Sequence, residues 1–389
     1  MAAVTPADSV ETVTLLQAHG RFLAEELRAQ VDNPAFDNSA MDGYALALAD
    51  LIAADFVLPL VGEARCGDPP GALKPGSTMR IFTGAPLPAG ADTVVIQEDV
   101  KLDGGRVHFP SSVRPGGNIR RRGEDFRSGE GLYGPGRRLS AYDLALISAA
   151  GVARCAVYRR ARVLVVATGD ELVAPGTPLK PGQIYESNRL ATLLQLQQLG
   201  VDAVDGGTVR DNASALRALL GTCGEYDFVI TSGGVSVGDH DLVKQVFAEI
   251  GEINFWKVKI KPGKPIAFGR VGACTHFFAL PGNPLSSLVT FKLFVEPALA
   301  AWNHSPYRMP ELPALAANDF RRHPGRMEFL RARLYTDNGA LMAESLRGQG
   351  SHQLAALRQT NGFIKIGEDS AGFKQGEAVV AVPLVFGNF

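Results

Sequence analysis

The sequence predicts a multi-domain protein built around a three-layer α/β unit, and three observations support that prediction. The chain has 389 residues, which at about 100–200 residues per domain suggests two to four domains. Short β-like runs between Gly/Pro turns fill residues 33–136, whereas strands and helices alternate from residue 162 to about 302. The proline-rich linker SPYRMPELP then precedes a last region of short strands. We therefore expect a β-rich domain, a parallel-sheet domain and a small β-domain, in that order.

The first part of the chain mixes helix and strand signals. Residues 9–30 are mostly compatible with helix, and SAYDLALISAA predicts a second short helix, with Ser140 as N-cap and Gly151 as stop. Between them, the runs MRIFTG, TVVIQ and RVHF are separated by turns such as CGDPPG and LPAGAD. This pattern of short β-like runs separated by turns is typical of an antiparallel, loop-rich domain.

The middle part alternates between apolar strands and helices. It opens with RVLVVATG from Arg162, a continuous β-branched run of the kind that is buried on both faces of a sheet. The later predicted strands are DAVDGGTV, YDFVITSGG, INFWKVKI, PIAFGRV and THFFALPG. The predicted helices are SNRLATLLQLQQLG, NASALRALL, DLVKQVFAEIG and NPLSSLVTFKLFVEPALAAW. This alternation implies βαβ units, a mainly parallel sheet and helices on both of its faces. The strands of the last β-domain are predicted at EFLRARLY, ALMAES, GFIKIG and AVVAVPLV.

Composition excludes several classes of protein. With 39 Lys plus Arg and 40 Asp plus Glu, the chain has no overall attraction for nucleic acid or an anionic membrane. Its apolar runs look shorter than the ~20 residues of a membrane span. Its N-terminal residues show no export signal, so we expect a cytoplasmic protein. The four cysteines are scattered, which argues against disulfides and zinc knuckles. The seven histidines have no metal-ligand spacing, and the basic run Arg120–Arg122 is expected to be a solvated surface.

Four loops are expected to meet at the carboxyl edge of the parallel sheet, where ligands bind in such folds. They are TGDE (168–171), RDN (210–212), SGGVSVGDHD (232–241) and PGNPLS (281–286). The carboxylates in these loops are Asp170, Glu171, Asp211, Asp239 and Asp241. Carboxylates beside a phosphate-binding loop suggest Mg²⁺, a hard cation that takes oxygen ligands. The alternative for each one is a helix cap or an Asx turn.

The loop that starts at Ser232 is rich in glycine. Gly233, Gly234 and Gly238 have no Cβ, so backbone N–H groups can approach an anion closely. The alternative is a tight turn without a ligand, and the loop matches neither a dinucleotide nor a P-loop motif. It also matches GxSxG through Ser236, although a hydrolase would need a well-placed acid and histidine as well.

Two further segments predict anion binding. In PGNPLSS, Asn283 is the expected N-cap and Pro284 the first helical residue, so free N–H groups and the helix dipole favour an anion there. A helix that is simply well capped is the alternative. In FWKVKIKPGKP, a strand would place Lys257, Lys259 and Lys261 on one face, and Lys264 follows in the turn. Such a lysine row suits a multiply charged oxyanion, whereas a solvated edge strand is the alternative.

Together these motifs resemble the molybdopterin molybdenumtransferase family, to which the C-terminal domain of gephyrin belongs. The resemblance runs from about Glu11 to the end of the chain. The segments that carry it are PAFDNSAMDGYA (34–45), IFTGAPLPAGADTVV (81–95), RRRGEDF (120–126), ATGDEL (167–172), IYESN (184–188), SGGVSVGDHD (232–241), KIKPGKPIAFG (259–269) and ALPGNPLSS (279–287).

The resemblance implies a fold and domain boundaries. It implies a small helical connector (1–30 and 125–160), a β-rich domain (31–124), an α/β molybdopterin-binding domain like that of molybdopterin adenylyltransferase (161–305) and a C-terminal β-barrel (310–389). It also implies a homodimer whose active-site cleft is shared. Contacts with molybdopterin adenylyltransferase and with molybdoenzyme apo-proteins are further implied partners.

The implied reaction inserts molybdate into adenylylated molybdopterin with Mg²⁺, releasing AMP and molybdenum cofactor. The catalytic residues that the resemblance implies are Asp42, Thr83, Asp125, Glu171, Asp211 and Asp241, of which the last three would hold the metal. The substrate- and oxyanion-binding residues are Lys257, Lys261, Lys264, Pro281, Pro284, Ser286, Arg331 and Ser351, and the phosphate loop contains Ser232, Gly233, Gly234 and Gly238.

Two other functions compete with this one. A non-catalytic scaffold of the same fold would tolerate loss of the carboxylates and lysines, whereas this chain keeps Asp42, Asp241 and Lys261. A molybdopterin adenylyltransferase would resemble only the α/β unit, and usually has GGTG where this chain has GGVSVG.

Overall fold

The computed structural model describes residues 4–210, 212–233, 246, 251–272 and 274–384, with backbone only for 251–257. The chain forms two compact units: residues 12–19 with 23–157, and residues 1–11 with 20–22 and 158–389. All four cysteines are free thiols.

The first unit contains mostly short strands and three short helices. Its strands are β1 Val10–Thr14, β2 Leu27–Arg28, β3 Asn38–Ser39, β4 Gly43–Leu46, β5 Val57–Ala64, β6 Thr78–Ile81, β7 Thr93–Ile96, β8 Lys101–Asp103, β9 Arg106–His108, β10 Ile119–Arg120, β11 Gly131–Tyr133 and β12 Arg154–Tyr158. Its helices are α1 Leu15–Ala18, α2 Leu48–Ala53 and α3 Ala141–Ala149. The helix predicted over residues 9–30 was wrong: only the four residues of α1 are helical, and strands flank them.

A six-stranded sheet in the order β7-β4-β6-β5-β9-β8 forms the β-rich domain. Its pairs are antiparallel except β5–β6, which is parallel. The prediction of an antiparallel domain was therefore wrong for this pair, since the loop between these two strands is long enough to cross over. Side chains alternate across β4: Tyr44 and Leu46 enter one core and Ala45 the other.

The connector region is held by a predicted helix cap. The Ser140 hydroxyl accepts a hydrogen bond from the Asp143 N–H, and the Asp143 carboxylate accepts one from the Ser140 N–H. Together they form a capping box at the start of α3. Gly151 has φ +83° just beyond the helix, so the predicted stop is confirmed.

The second unit contains the α/β domain. Its strands are β13 Arg162–Thr168, β14 Leu172–Val173, β15 Ile184–Tyr185, β16 Asp202–Val209, β17 Phe228–Ser232, β18 Gly251–Lys257, β19 Ile260–Lys261, β20 Pro265–Val271 and β21 Thr275–Leu280. Its helices are α4 Asn188–Gln198, α5 Ala213–Gly221 and α6 Pro284–Trp302, the last with one π-helical turn at Phe291–Val295. The helix predicted from Asp241 lies outside the described residues, except for a helical Val246.

The main sheet has the order β16-β13-β17-β21-β20-β18. The first four strands are parallel and the last two pairs are antiparallel, which confirms the mainly parallel sheet. Val163 and Val165 of β13 enter one core, whereas Leu164 and Val166 enter the core on the other face. This strand is therefore buried on both faces, as its composition predicts.

Helix α6 packs against the sheet through Phe291 and Val295 and against the barrel through Val289. In the described part of the chain it is the one helix long and apolar enough to cross a membrane, with 19 residues and a mean hydropathy of 1.2. The sequence-based expectation had missed a run of this length. The structure buries 61% of the helix, with Phe291 and Val295 in the core that also contains β13. This degree of burial is typical of a core helix.

The last domain is a closed barrel of five strands. Its elements are β22 Leu312–Ala316, β23 Phe320–Arg321, β24 Met327–Asp337, β25 Ala340–Ser345, β26 Gly362–Ile366, β27 Gly372–Phe373 and β28 Ala378–Pro383. The order β24-β25-β22-β28-β26 closes because β26 pairs with β24. The four predicted strands are confirmed, and the barrel rests on α6 through Val289 and Phe363.

Candidate functional site

A cavity of about 610 Å³ lies at the carboxyl edge of the parallel sheet. Strand register brings its walls together, because Ser232 of β17 pairs with Ala167 of β13 and with Leu280 of β21. The loops that follow these three strands therefore leave the sheet at one edge, as predicted. The lining residues are Thr168, Glu171, Leu172, Ile184, Tyr185, Glu186, Ser187, Asn188, Ser232, Gly233, Pro265, Pro281, Gly282, Asn283, Pro284, Ser286, His352 and Leu354.

Six residues of the predicted site line this cavity together: Glu171, Ser232, Gly233, Pro281, Pro284 and Ser286. Glu171 is exposed, and its carboxylate lies over Gly169, where an added Cβ would be 2.6 Å from Oε2. The glycine thus leaves room for the carboxylate to reach the cavity.

Gly233 begins the predicted phosphate loop. Its φ is +92°, and an added Cβ would lie 2.5 Å from the Thr168 carbonyl oxygen, so no other residue fits without strain. Its N–H donates to the Leu280 carbonyl at 3.1 Å, so this group is already bonded and does not face an anion. Gly234 and Gly238 lie outside the described residues.

The start of α6 forms the floor of the cavity. Asn283 is the N-cap and Pro284 the first helical residue, as predicted. The Leu285 N–H donates to the Ser351 carbonyl at 3.3 Å, so the expectation that the N–H groups of this turn are free was wrong for Leu285. Pro284 and Ser286 are the residues of the first turn that line the cavity. The Ser287 N–H donates to the Asn283 carbonyl at 3.0 Å, so this helix start offers an anion chiefly its dipole.

Arg331 of the barrel organises the loop that carries Ser351. Its side chain is 2% exposed, and it donates to the carbonyls of Gly348, Gly350 and Gln353. Its Nε is buried and has no hydrogen-bond partner among the described residues, and burial lowers the pKa of the guanidinium. Arg331 therefore holds the loop in place.

The lysine segment differs from its prediction. β18 ends at Lys257, and after a break Ile260–Lys261 pairs with β24 of the barrel instead of continuing the main sheet. The predicted single strand with a lysine row was therefore wrong, because the chain changes sheets between these lysines. Lys259, Lys261 and Lys264 are exposed, and the side chain of Lys257 lies outside the described set.

The turn after Lys261 lies against the start of α6. An added Cβ on Gly263 would be 2.7 Å from Thr290 Cγ2 and 3.5 Å from the Ser286 carbonyl oxygen. Pro265, at the end of the turn, lines the cavity. Lys261 and Lys264 therefore flank a turn that packs beside the cavity floor.

Asp42 and Thr83 form a pair in the β-rich domain. Asp42 Oδ1 accepts hydrogen bonds from the main-chain N–H and the hydroxyl of Thr83, each at 2.8 Å. These bonds, with the nearby Arg80 charge, lower the pKa of Asp42. Gly43 fixes the position, since an added Cβ would lie 2.1 Å from the Val95 carbonyl oxygen. Asp42 is thus a fixed, ionised carboxylate.

Asp125 belongs to an ordered polar loop in the same unit. Asn33 Nδ2 donates to Asp125 Oδ2 at 2.9 Å, and the Asp125 N–H donates to the Asn33 carbonyl at 3.1 Å. In the neighbouring basic run, Arg121 pairs with Asp37 at 2.7 Å. The run is solvated, as expected, and its side chains also tie two loops together.

Sequence reasoning missed several lining residues, among them His352, Asn188 and Glu186. Asn188 Nδ2 donates to the Gly282 carbonyl at 2.7 Å and so ties the start of α4 to the loop before α6. Glu186, 4% exposed, accepts the Arg189 N–H at 2.6 Å. The motifs IYESN and GSHQ contain these residues, but spacing alone gave them no role.

One of the three predicted metal ligands lies in the described part of the chain. Glu171 faces the cavity, whereas Asp211 and Asp241 lie outside the described residues. Within residues 4–210, 212–233, 246, 251–272 and 274–384 no group of three or more His, Cys, Asp or Glu side chains is placed to hold a metal ion.

Three family models match the chain. Residues 1–151 match the MoeA N-terminal region (domain I and II), 164–301 a probable molybdopterin binding domain, and 313–384 the MoeA C-terminal region (domain IV). The matched regions follow the structural divisions at the start of the α/β domain and of the barrel.

Relatives and solved structures agree with these matches. The chain is 39% identical over 379 residues to a molybdopterin molybdenumtransferase from Haemophilus influenzae, covering 96% of this chain and 93% of the relative. It is 38% identical over 374 residues to molybdopterin molybdenumtransferase 2 from Mycobacterium tuberculosis, covering 92% and 91%. A crystal structure of a molybdopterin biosynthesis MoeA protein from Pyrococcus horikoshii superposes with a TM-score of 0.80 at 32% identity, covering 98% and 95%. The chain is therefore a member of the molybdopterin molybdenumtransferase family, transferases of molybdenum cofactor biosynthesis.

Proposed function

We propose that this protein inserts molybdate into adenylylated molybdopterin, releasing AMP and molybdenum cofactor. The observation that carries the proposal is the cavity in which the start of α6, the Glu171 loop and the barrel loop meet. In the reaction, two Mo–S bonds form to the dithiolene, one oxide leaves as water with two protons, and water cleaves the pyrophosphate link. The protein has to hold a dianion and a nucleotide side by side.

Molybdate would bind near Ser286, beside the turn that Lys261 and Lys264 flank. The helix dipole and the Ser286 hydroxyl offer one side of the site. Lys261 and Lys264 flank the turn against that helix, and the Ser351 loop closes over it. Arg331 supports this loop from within the barrel through the carbonyls of Gly348, Gly350 and Gln353. A tetrahedral dianion matches this combination of point charges and N–H or O–H donors.

The nucleotide would occupy the part of the cavity nearer the strand ends. Ser232 and Gly233 form its wall, and the exposed Glu171 carboxylate faces it. Oxygen ligands of this kind suit Mg²⁺, which Glu171 would hold together with Asp211 and Asp241. Bound there, the ion would neutralise charge on the pyrophosphate. Two glycines support this arrangement. Gly169 leaves room for the Glu171 carboxylate, and Gly233 takes a backbone conformation in which a side chain would clash.

Asp42 and Thr83 would act in a cleft that two subunits share in a cytoplasmic homodimer. The pair is prepared for this role, because both Thr83 bonds favour an ionised, immobile Asp42. A fixed carboxylate can orient a water molecule or a substrate hydroxyl at little entropic cost. Molybdopterin adenylyltransferase and molybdoenzyme apo-proteins would be the partners before and after this step.

The experiment is anaerobic incubation of the purified protein with adenylylated molybdopterin, Mg²⁺ and molybdate, with AMP measured by chromatography. We expect molybdate-dependent AMP release and a product that activates an apo-molybdoenzyme. Lys261→Ala should lose both at low molybdate. If the intact, folded protein binds the substrate but releases no AMP, the scaffold alternative holds; production of adenylylated molybdopterin from ATP would instead support the adenylyltransferase.

A further inference from the structure

A three-residue charge network joins the lysine segment to the barrel. Lys261 Nζ lies 2.8 Å from Glu328 Oε1, and Arg322 Nη1 lies 3.2 Å from Glu328 Oε2. The Glu328 side chain is 4% exposed and that of Arg322 5%, whereas that of Lys261 is 47% exposed. The carboxylate is thus buried between one buried cation and one cation that faces solvent.

Arg322 is a fixed part of the barrel. Its guanidinium donates to the carbonyls of Ser370 at 2.9 Å, Arg326 at 2.6 Å and Glu368 at 3.2 Å. Because its donors are held by the main chain, the guanidinium has little freedom to move. It anchors Glu328 from behind, and Glu328 Oε1 is left for Lys261.

The backbone fixes the same contact. β19 pairs in parallel with β24, and Lys261 is directly opposite Glu328 in the register. The Met327 N–H donates to the Lys259 carbonyl at 2.9 Å and extends this pairing by one step. The barrel therefore holds both the backbone and the side chain of Lys261, just before the turn that packs on α6.

We propose that Glu328 is a positioning residue that orients Lys261 for the oxyanion; this rests on the oxyanion site of the proposed function. A lysine side chain has a flexible four-carbon stem and three donors. One donor is held by Glu328, so the other two point in fixed directions instead of sampling solvent. The barrel thereby becomes a working part of the oxyanion site and not only an appended domain.

A purely structural ion pair explains the arrangement less well. Arg322 already compensates the buried carboxylate, so Glu328 needs no second cation for its own burial. A pair with a half-exposed lysine adds little to stability. A positioning role does explain the pair, because the carboxylate restricts the conformations of the Lys261 side chain.

The test compares Glu328→Gln, Glu328→Asp and Lys261→Ala in the full-length protein. Molybdate affinity is measured by calorimetry, and the molybdate KM and kcat of AMP release are measured in parallel. Glu328→Gln keeps the shape but removes the charge. Glu328→Asp keeps the charge but shortens its reach by one methylene. We expect each to raise the molybdate Kd and KM about tenfold, with kcat changed less than about twofold. The matched control is Glu311→Gln, which removes the exposed barrel pair Lys365–Glu311 at 2.6 Å and should change neither constant.

A double-mutant cycle separates positioning from general destabilisation. If Glu328 acts through Lys261, adding Glu328→Gln to Lys261→Ala should change the molybdate Kd less than about twofold. Unchanged molybdate affinity in both Glu328 variants, or an effect of the same size without Lys261, would overturn the proposal. If the variants give those results while the wild-type protein releases AMP, the proposed function still holds and only the role of Glu328 is rejected. If the wild-type protein releases no AMP, the proposed function itself is rejected.

Discussion

Asp42 accepts two hydrogen bonds through one carboxylate oxygen, both from Thr83 and both at 2.8 Å. Thr83 lies two residues after β6 and Asp42 immediately precedes β4, and these two strands are antiparallel neighbours. The pairing of these strands therefore brings Asp42 and Thr83 together. This explains why the motifs MDGY and IFTG, which are distant in sequence, form one hydrogen-bonded pair.

Asp42→Asn is expected to lower AMP release about a hundredfold while the fold stays intact, because the amide loses the charge. Steady-state AMP release and circular dichroism test this. Asp50→Asn is the matched control: its carboxylate accepts the Gly76 N–H at 2.7 Å in the same domain but belongs to no predicted site. Full turnover by Asp42→Asn would contradict the role assigned to it.

A mixture of Asp42→Asn and Glu171→Gln proteins is expected to recover activity that neither has alone. If the cleft is shared between two subunits, each mixed dimer has one cleft free of both changes. Random exchange then gives about a quarter of wild-type activity. The measurement is AMP release after the two proteins have been unfolded and refolded together. An inactive mixture that contains mixed dimers would refute the shared cleft.

Asp143 makes stability depend on pH. Burial opposes its ionisation, but hydrogen bonds from Arg137 and Ser140 outweigh burial and hold the pKa of Asp143 well below its usual range. This stabilisation is therefore present above the unfolded-state pKa near ~4 and is lost as the pH falls toward the folded-state pKa. We expect Asp143→Asn to cost roughly 2 kcal/mol at pH 7 and a smaller but still measurable amount near pH 3, where only the unfolded-state carboxyl has become protonated.

Thermal unfolding at the two pH values measures this difference. Asp103→Asn, which changes an exposed carboxylate in the other part of the same unit, serves as the control and should have no effect at either pH. An Asp143→Asn deficit that stays constant down to pH 3 would contradict the assignment.

Asn188→Asp is expected to raise the KM for the substrates about fivefold, because an ionised carboxylate cannot donate to the Gly282 carbonyl. The start of α4 would then no longer hold the loop before α6. Gln195→Ala is the control on the same helix, since its side-chain amide donates to the Ala191 carbonyl within that helix. Unchanged KM values in Asn188→Asp would show that the loop before α6 does not need the hydrogen bond from Asn188.

Gly233→Ala is expected to destabilise the loop after β17 and to abolish activity, since its Cβ would lie 2.5 Å from a carbonyl oxygen at φ +92°. A cost of about 2 kcal/mol or more is expected. Gly221→Ala has open space around it at the end of α5 and should be neutral. Wild-type stability in Gly233→Ala would mean that the loop relaxes without affecting the site.

Local patterns predicted the parts of the fold that depend on local rules. The β-branched run from Arg162, the Ser140 cap and the barrel strand at Ala340–Ser345 were all found at their predicted places. Strand direction then placed Glu171 and Ser286 at one cavity, because parallel strands end at one edge.

Contacts between distant segments were beyond these rules. Asn188 and Gly282 are 94 residues apart in sequence, and no periodicity links them. The lysine segment was predicted as one strand because alternation favours it, yet pairing with β24 takes Lys261 into another sheet. The helix prediction for residues 9–30 was wrong for a similar reason. Strand β1 pairs with β12 and β2 with β11, and these distant pairings override a weak helix preference.

The most direct test is the position of molybdenum in crystals soaked with molybdate, located by anomalous scattering at the molybdenum edge. We predict one strong peak in the cavity at the sheet edge, beside Ser286 and Pro265. A peak elsewhere, with this cavity empty at saturating molybdate, would contradict the oxyanion site from which the proposed reaction follows.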